Sequence, residues 1–131
     1  MASSTTALTK PRQGEIWYVK LPTAPSNYTG RPVVVVSSNA RNMNDRANTV
    51  LVVPLSTTLR EPVPPTNLRL SPGETGLREK SELQAGNITT VRKTQLRAPR
   101  ERLRQLSHVT LRRIAARVAL AMDVLPEEIL E

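Results

Sequence analysis

The sequence predicts an α+β fold: a small β-barrel with one amphipathic helix packed against it. Three observations carry that prediction. Two apolar runs, VVVV (33–36) and VLVVPL (50–55), have the length and β-branched content of buried strands. Several other short segments of strand character are separated by turns rich in Pro, Gly and hydroxyl residues. One helical period closes the chain, with apolar residues at 111, 114, 118, 121/122 and 125. A chain of 131 residues is long enough for one domain with a substantial core.

The elements follow in order. Residues 1–11 are small and polar up to Pro11 and predict a disordered tail, with the domain over 12–125 and a C-terminal tail at 126–131. EIWYVKL (15–21) alternates apolar and polar residues, as a strand does. LPTAPSNYTGR (21–31) is a long loop. RPVVVVSS (31–38) does not alternate and reads as a strand buried on both faces. NARNMNDRAN (39–48) is a polar connection, and TVLVVPLS (49–56) a second buried strand in which Pro54 predicts an end or a bulge. STTLREPVPPT (56–66) is loop, TNLRLS (66–71) a strand and PGETGL (72–77) a turn. SELQAGNITTV (81–91) predicts two short strands hinged at Gly86, and RKTQLRAPRERL (92–103), broken by Pro99, one short helical turn. Ser107 is the expected N-cap of the final helix, which Pro126 closes.

Composition narrows the function. The chain has no cysteine, so a disulfide framework and a thiolate metal site are excluded. The apolar runs are far too short to span a bilayer, and MASSTTALTK lacks the apolar core of a signal peptide, so the expected location is cytoplasmic, without a membrane. The net charge of +8 is concentrated: residues 92–117 hold nine basic side chains against Glu101, while the rest of the chain has ten of each sign. Such asymmetry fits a polyanionic or acidic partner, and equally a solvated arginine-rich face.

Standard catalytic signatures are missing. The only histidine, His108, stands at the start of the helix with no partner for a dyad. No cluster has metal-ligand spacing, and neither a phosphate loop nor a dinucleotide fingerprint is present, so no metal or cofactor is expected. SPGETG and QAGN read as turn glycines. What remains is Arg31. Pro32 holds it extended, and the following valines root the strand in the core, which makes a guanidinium on a rigid mount beside a loop. A planar fork of that kind suits phosphate recognition. The second valine-rich strand ends in Ser56, Thr57 and Thr58. If the two strands are antiparallel neighbours, hydroxyls lie beside Arg31; turn chemistry alone also accounts for them.

GEIWYVKLP, a loop, GRPVVVVSSNARN, TVLVVPLSTT, TGLREKSELQAGNITTVRKTQL and LRQLS before a terminal helix together resemble the MazF/PemK family of toxin–antitoxin endoribonucleases over residues 12–125. The resemblance implies an SH3-like barrel of the MazF, Kid and CcdB kind, usually a homodimer. It implies cleavage of single-stranded RNA at short sequences without a metal, and a cognate acidic antitoxin that blocks the RNA groove. It implies Arg31 and Ser56 as the catalytic residues, with Thr57 as the alternative hydroxyl, and an RNA-contacting amide at Asn87. Tyr28, on the loop beside Arg31, is the candidate for base stacking, and Thr57 and Arg60 complete the expected substrate-binding residues. Serine stands where the family has threonine, and TAPSNYTG lacks the family's loop glutamate. Two other functions suit the same fold: a non-enzymatic gyrase-binding toxin of the CcdB kind, and an SH3-like RNA-binding module.

Overall fold

The structure, a computed structural model, describes residues 10–20, 30–99 and 103–125. Most of the expected N-terminal tail, the loop residues 21–29 with Tyr28, residues 100–102 and the C-terminal tail 126–131 lie outside the described residues.

The valine-rich segments form the middle of a mostly antiparallel sheet. β1 (Ile16–Val19), β2 (Arg31–Val35) and β3 (Thr49–Ser56) pair in that order, with Trp17 opposite Val33 and Val34 opposite Val53. β4 (Asn67–Leu70), β5 (Ser81–Gln84), β6 (Thr89–Arg92) and β7 (Leu96–Arg97) complete it. The order is β4-β5-β3-β2-β1-β7, with β6 also on β3.

β3 changes partner along its outer edge: residues 49–52 pair with β6 and residues 55–56 with β5. Pro54 sits between the two ladders, opposite Val33 on the inner edge. Proline has no N–H, so the change falls where no donor is orphaned. Pro54 therefore neither ends nor bulges the strand, contrary to the sequence expectation.

The α+β class is as expected, but among the described residues the sheet is an open path and not a closed barrel. Both residues of β7 are paired with β1, and the chain beyond it stays with the start of β1. Gln105 bridges Glu15, and Leu106 N–H donates to Gly14 O at 2.9 Å. Among the described residues nothing thus returns to β4 to close the circuit.

Strand alternation divides the core into two layers. Val34, Val53 and Leu55 face one side with Ile16, Leu68, Leu70, Leu83, Leu106 and Ile114. Val33, Val35, Val50 and Val52 face the other with Val19, Val91 and Leu96, and Trp17 packs against them. Burial on both faces is why these strands do not alternate in sequence.

Two segments expected to be irregular hold single helical turns. α1 (Asn39–Asn42) is capped by Ser38, whose Oγ accepts from Arg41 N–H. α2 (Pro72–Thr75) has a Ser71/Glu74 capping box and ends at Gly76, whose φ of 77° favours glycine. The long helix α3 (His108–Ala121) starts at Ser107 as expected and lays Leu111, Ile114 and Val118 on the first core layer. It stops at Ala121 and does not run to Leu125. Asp123 turns to φ 62°, and the N–H groups of 122–124 bond back to carbonyls of 118–120. Among the described residues no helix is long and apolar enough to cross a membrane.

Candidate active site

Arg31 opens β2 opposite Val19 of β1. Extending the β2–β3 register from Val33↔Pro54 to the strand end sets Arg31 across from Ser56. Ser56 in turn opposes Glu82 of β5, which opposes Arg69 of β4. One row across the sheet therefore reads Val19, Arg31, Ser56, Glu82, Arg69.

Pro32 explains how the guanidinium is held. Hydrogen-bonded pairs alternate along β2 and β3 from Val36 N–H to Leu51 O, 2.9 Å, which places Pro32 opposite Leu55 at a donor position it cannot fill. Arg31 Nε supplies the missing donor to Leu55 O at 3.3 Å. Arg31 Nη2 donates to Gln84 Oε1 at 3.0 Å. Two anchors on two strands fix the plane of a half-buried guanidinium. Among the described residues they use two of its five N–H groups, which leaves the others for a ligand.

Beside it lies a cavity of about 210 Å³. Val19, Val33, Val52, Pro54 and Val91 give it an apolar floor on the second core layer, and Arg31, Asn87 and Thr89 supply its polar rim. Asn87 Nδ2 donates to the same Gln84 Oε1, at 3.1 Å. Ser56 does not line this cavity but sits next to it on the same sheet face.

Ser56 Oγ accepts from Thr58 N–H at 3.1 Å, which pins the turn after β3 and leaves its own O–H proton to donate. Thr57 is exposed beyond the strand end. Strand alternation directs Ser56 to the Arg31 side and the next residue away from it. Arg60 has an exposed side chain on a fixed main chain: its N–H donates to Glu82 Oε1 at 2.9 Å and its carbonyl accepts from Arg69. Glu82 is fully buried and also accepts from Asn67 Nδ2, 2.6 Å, and Arg69 Nε, 3.5 Å. Burial is the largest influence on Glu82 and pushes its carboxyl up. The hydrogen bonds from Arg60 N–H, Asn67 and Arg69, with the Arg69 charge, together outweigh it and hold the group below the usual carboxylate range.

Of the sequence-derived candidates, Arg31 and Asn87 rim the cavity, Ser56 stands outside it across from Arg31 by strand register, Arg60 is tied in through Glu82, and Tyr28 lies outside the described residues. Trp17 is half-buried against the second layer. His108 is exposed, and α3 with Arg112, Arg113 and Arg117 lies on the opposite face of the sheet from Arg31. Sequence reasoning missed Gln84 and Glu82. A lone acid inside an apolar strand, S-E-L-Q, is the available signal for Glu82; Gln84 falls in the expected first strand of 81–91, where nothing marks it as a site residue.

A seven-stranded, mostly antiparallel sheet with one covering helix, and with an arginine and a hydroxyl abreast on its far face, defines a MazF-like α+β domain. The chain belongs to the family of PemK-like, MazF-like toxins of type II toxin–antitoxin systems, whose pattern matches residues 12–122. It is similar to an endoribonuclease from a Mycobacterial species, at 26% identity and a TM-score of 0.69, covering 89% of this chain and 95% of that one. It is also similar to a Mycobacterial endoribonuclease solved with its cognate antitoxin, at 27% identity and TM-score 0.66, covering 86% and 95%. MazE–MazF from Deinococcus radiodurans shares the fold at 15% identity and TM-score 0.66, covering 88% and 98%. No curated protein sequence matches the chain significantly.

Proposed function

We infer that this chain is the toxin of a type II toxin–antitoxin pair and acts as a sequence-selective endoribonuclease on single-stranded RNA. The observation that carries this reading is the Arg31–Ser56 juxtaposition, with a guanidinium fixed in plane and a hydroxyl free to donate. RNA brings its own nucleophile, the 2′-OH. Attack on the adjacent phosphorus forms the new P–O bond as the 2′-OH gives up its proton, and breaks the bond to the 5′-oxygen, which takes a proton up, so the step balances without net proton release. The products are a 2′,3′-cyclic phosphate and a 5′-hydroxyl. Arg31 neutralises the charge that develops on the non-bridging oxygens, and Ser56 Oγ donates to the same phosphate. With the nucleophile in the substrate and the countercharge in the protein, this scheme runs without a metal. The partners are single-stranded RNA, a cognate acidic antitoxin and a second copy of the chain, in the cytoplasm. The antitoxin rests on the complexes of the similar endoribonuclease and of MazE–MazF.

The test is incubation with long single-stranded RNA in EDTA. Wild type should produce discrete cuts with cyclic-phosphate ends, and Arg31→Ala should produce none. Ser56→Ala should lose roughly 10²–10³ in rate, as removal of one such donor does, and Ser56→Thr should retain activity. Intact RNA with failed DNA supercoiling would turn the assignment to a gyrase-binding toxin.

A further inference from the structure

We propose that Gln84 is a positioning residue: its side-chain oxygen aims Arg31 at the phosphate and fixes the Asn87 amide to read the edge of an adjoining nucleobase. This rests on the endoribonuclease reading above. Gln84 ends β5 opposite Asn67 and leads into the 3-10 turn Ala85–Asn87. Its Oε1 lies 3.0 Å from Arg31 Nη2 and 3.1 Å from Asn87 Nδ2, so one atom joins the two polar residues that rim the cavity.

The polarity of this relay follows from the chemistry of its members. A guanidinium only donates, so it turns the Gln84 amide oxygen toward itself. That oxygen can only accept, so it turns the Asn87 amide nitrogen inward. Asn87 Oδ1, an acceptor, and the second Asn87 N–H, a donor, are then left to a ligand at the rim. A base edge that offers a donor beside an acceptor complements that fixed pair, whereas an edge with only one of the two fills half of it.

Charge gives a second argument. Arg69, on the same sheet row, is held by carboxylates: Glu61 at 2.8 Å and Glu82 at 3.5 Å. Its positive charge is matched within the protein. Arg31 is held only by neutral oxygens among the described residues, the Leu55 carbonyl and the Gln84 amide. An amide fixes the fork as a carboxylate does, without neutralising the charge that a phosphodiester must meet.

The experiment uses the full chain and a single-stranded RNA oligonucleotide that wild type cuts once. A copy with a 2′-deoxy nucleotide at the cut position reports binding alone. Gln84→Leu removes the acceptor, and Gln84→Glu keeps shape and acceptor but adds a negative charge. Melting curves check that both variants fold. Gln84→Leu should lower kcat about 10- to 100-fold with little change in KM, and should relax discrimination at the base beside the cut. Gln84→Glu should weaken binding of the 2′-deoxy oligonucleotide and lower the slope of log Kd against log salt by about one, as loss of one phosphate contact does. In an Arg31→Ala background neither substitution should alter that slope further, since coupled residues are not additive. Folded Gln84 variants that cut and bind as wild type, while Arg31→Ala is dead, would overturn this inference alone. Equal cutting by Arg31→Ala would remove the catalytic reading and this one with it.

Discussion

Glu82 brings a carboxylate into the interior at 0% exposure, and its consequences are those of a single residue. Its partners hold its carboxyl below the ordinary 4.5, so an unfolded chain takes up a proton there before the folded one does as pH falls. Its contribution to stability is therefore complete above about pH 4.5 and is lost as pH drops through the depressed folded value. Glu74 moves in the same direction, chiefly through the hydrogen bond from the Ser71 backbone, with Arg113 adding to it. Melting temperature should accordingly hold steady from about pH 7 to 5 and fall below about 4.5. Glu82→Gln offers an N–H where Asn67 or Arg60 needs an acceptor, and it should cost about 1–3 kcal/mol at pH 7. The gap between this variant and wild type should narrow in melts as pH falls through the depressed folded value, where wild type too becomes protonated. A gap that does not change with pH would mean that shape, not charge, gives Glu82 its role.

At the scale of elements, the parts that were legible are those whose signal is local. The valine runs announce strands because burial on both faces demands unbroken apolar sequence, and α3 announces itself through its period and Ser107. Ile114, 1% exposed, is where that helix meets the core, while Val109 at 69% points into solvent. Ile114→Ala should cost about 2–5 kcal/mol in urea denaturation, and Val109→Ala should stay within about 0.5 kcal/mol. Ser107→Ala removes the acceptor for Thr110 N–H and should cost about 1 kcal/mol. What was not legible depends on register between distant segments. Pro54 reads as a breaker until β3 is seen to change partners at that residue. Gln84 meets Arg31 across 53 positions, through a β3–β5 pairing only two residues long, and nothing in Q-A-G-N signals that contact. The split of the first strand pair into two core layers was implicit in the non-alternating valines. The open edge between β4 and β7 was not, because it turns on where the chain goes after β7.

For the whole molecule, the division into two layers decides what the basic excess can do. Arg31, Ser56 and the cavity lie on the face of the second core layer, and α3 covers the first. Several of the arginines that made residues 92–117 conspicuous are therefore remote from the site. Arg113 pairs with Glu74 at 3.2 Å, Arg117 donates to Pro65 O at 3.2 Å, and Arg112 is exposed on the helix. Long-range attraction for RNA still draws on the full +8. Contacts with phosphates, which release counterions and set the salt dependence, should come only from groups on the Arg31 face. Arg31→Gln should therefore reduce the slope of log Kd against log salt for a 2′-deoxy RNA by about one. The double substitution Arg112→Gln and Arg113→Gln should leave that slope unchanged and slow association modestly at low salt. It should barely affect stability, because an exposed pair such as Arg113–Glu74 is worth about 0–1 kcal/mol. A slope that falls as far for the helix pair as for Arg31 would mean that RNA runs over α3, and the phosphate track would then have to cross from one face of the sheet to the other.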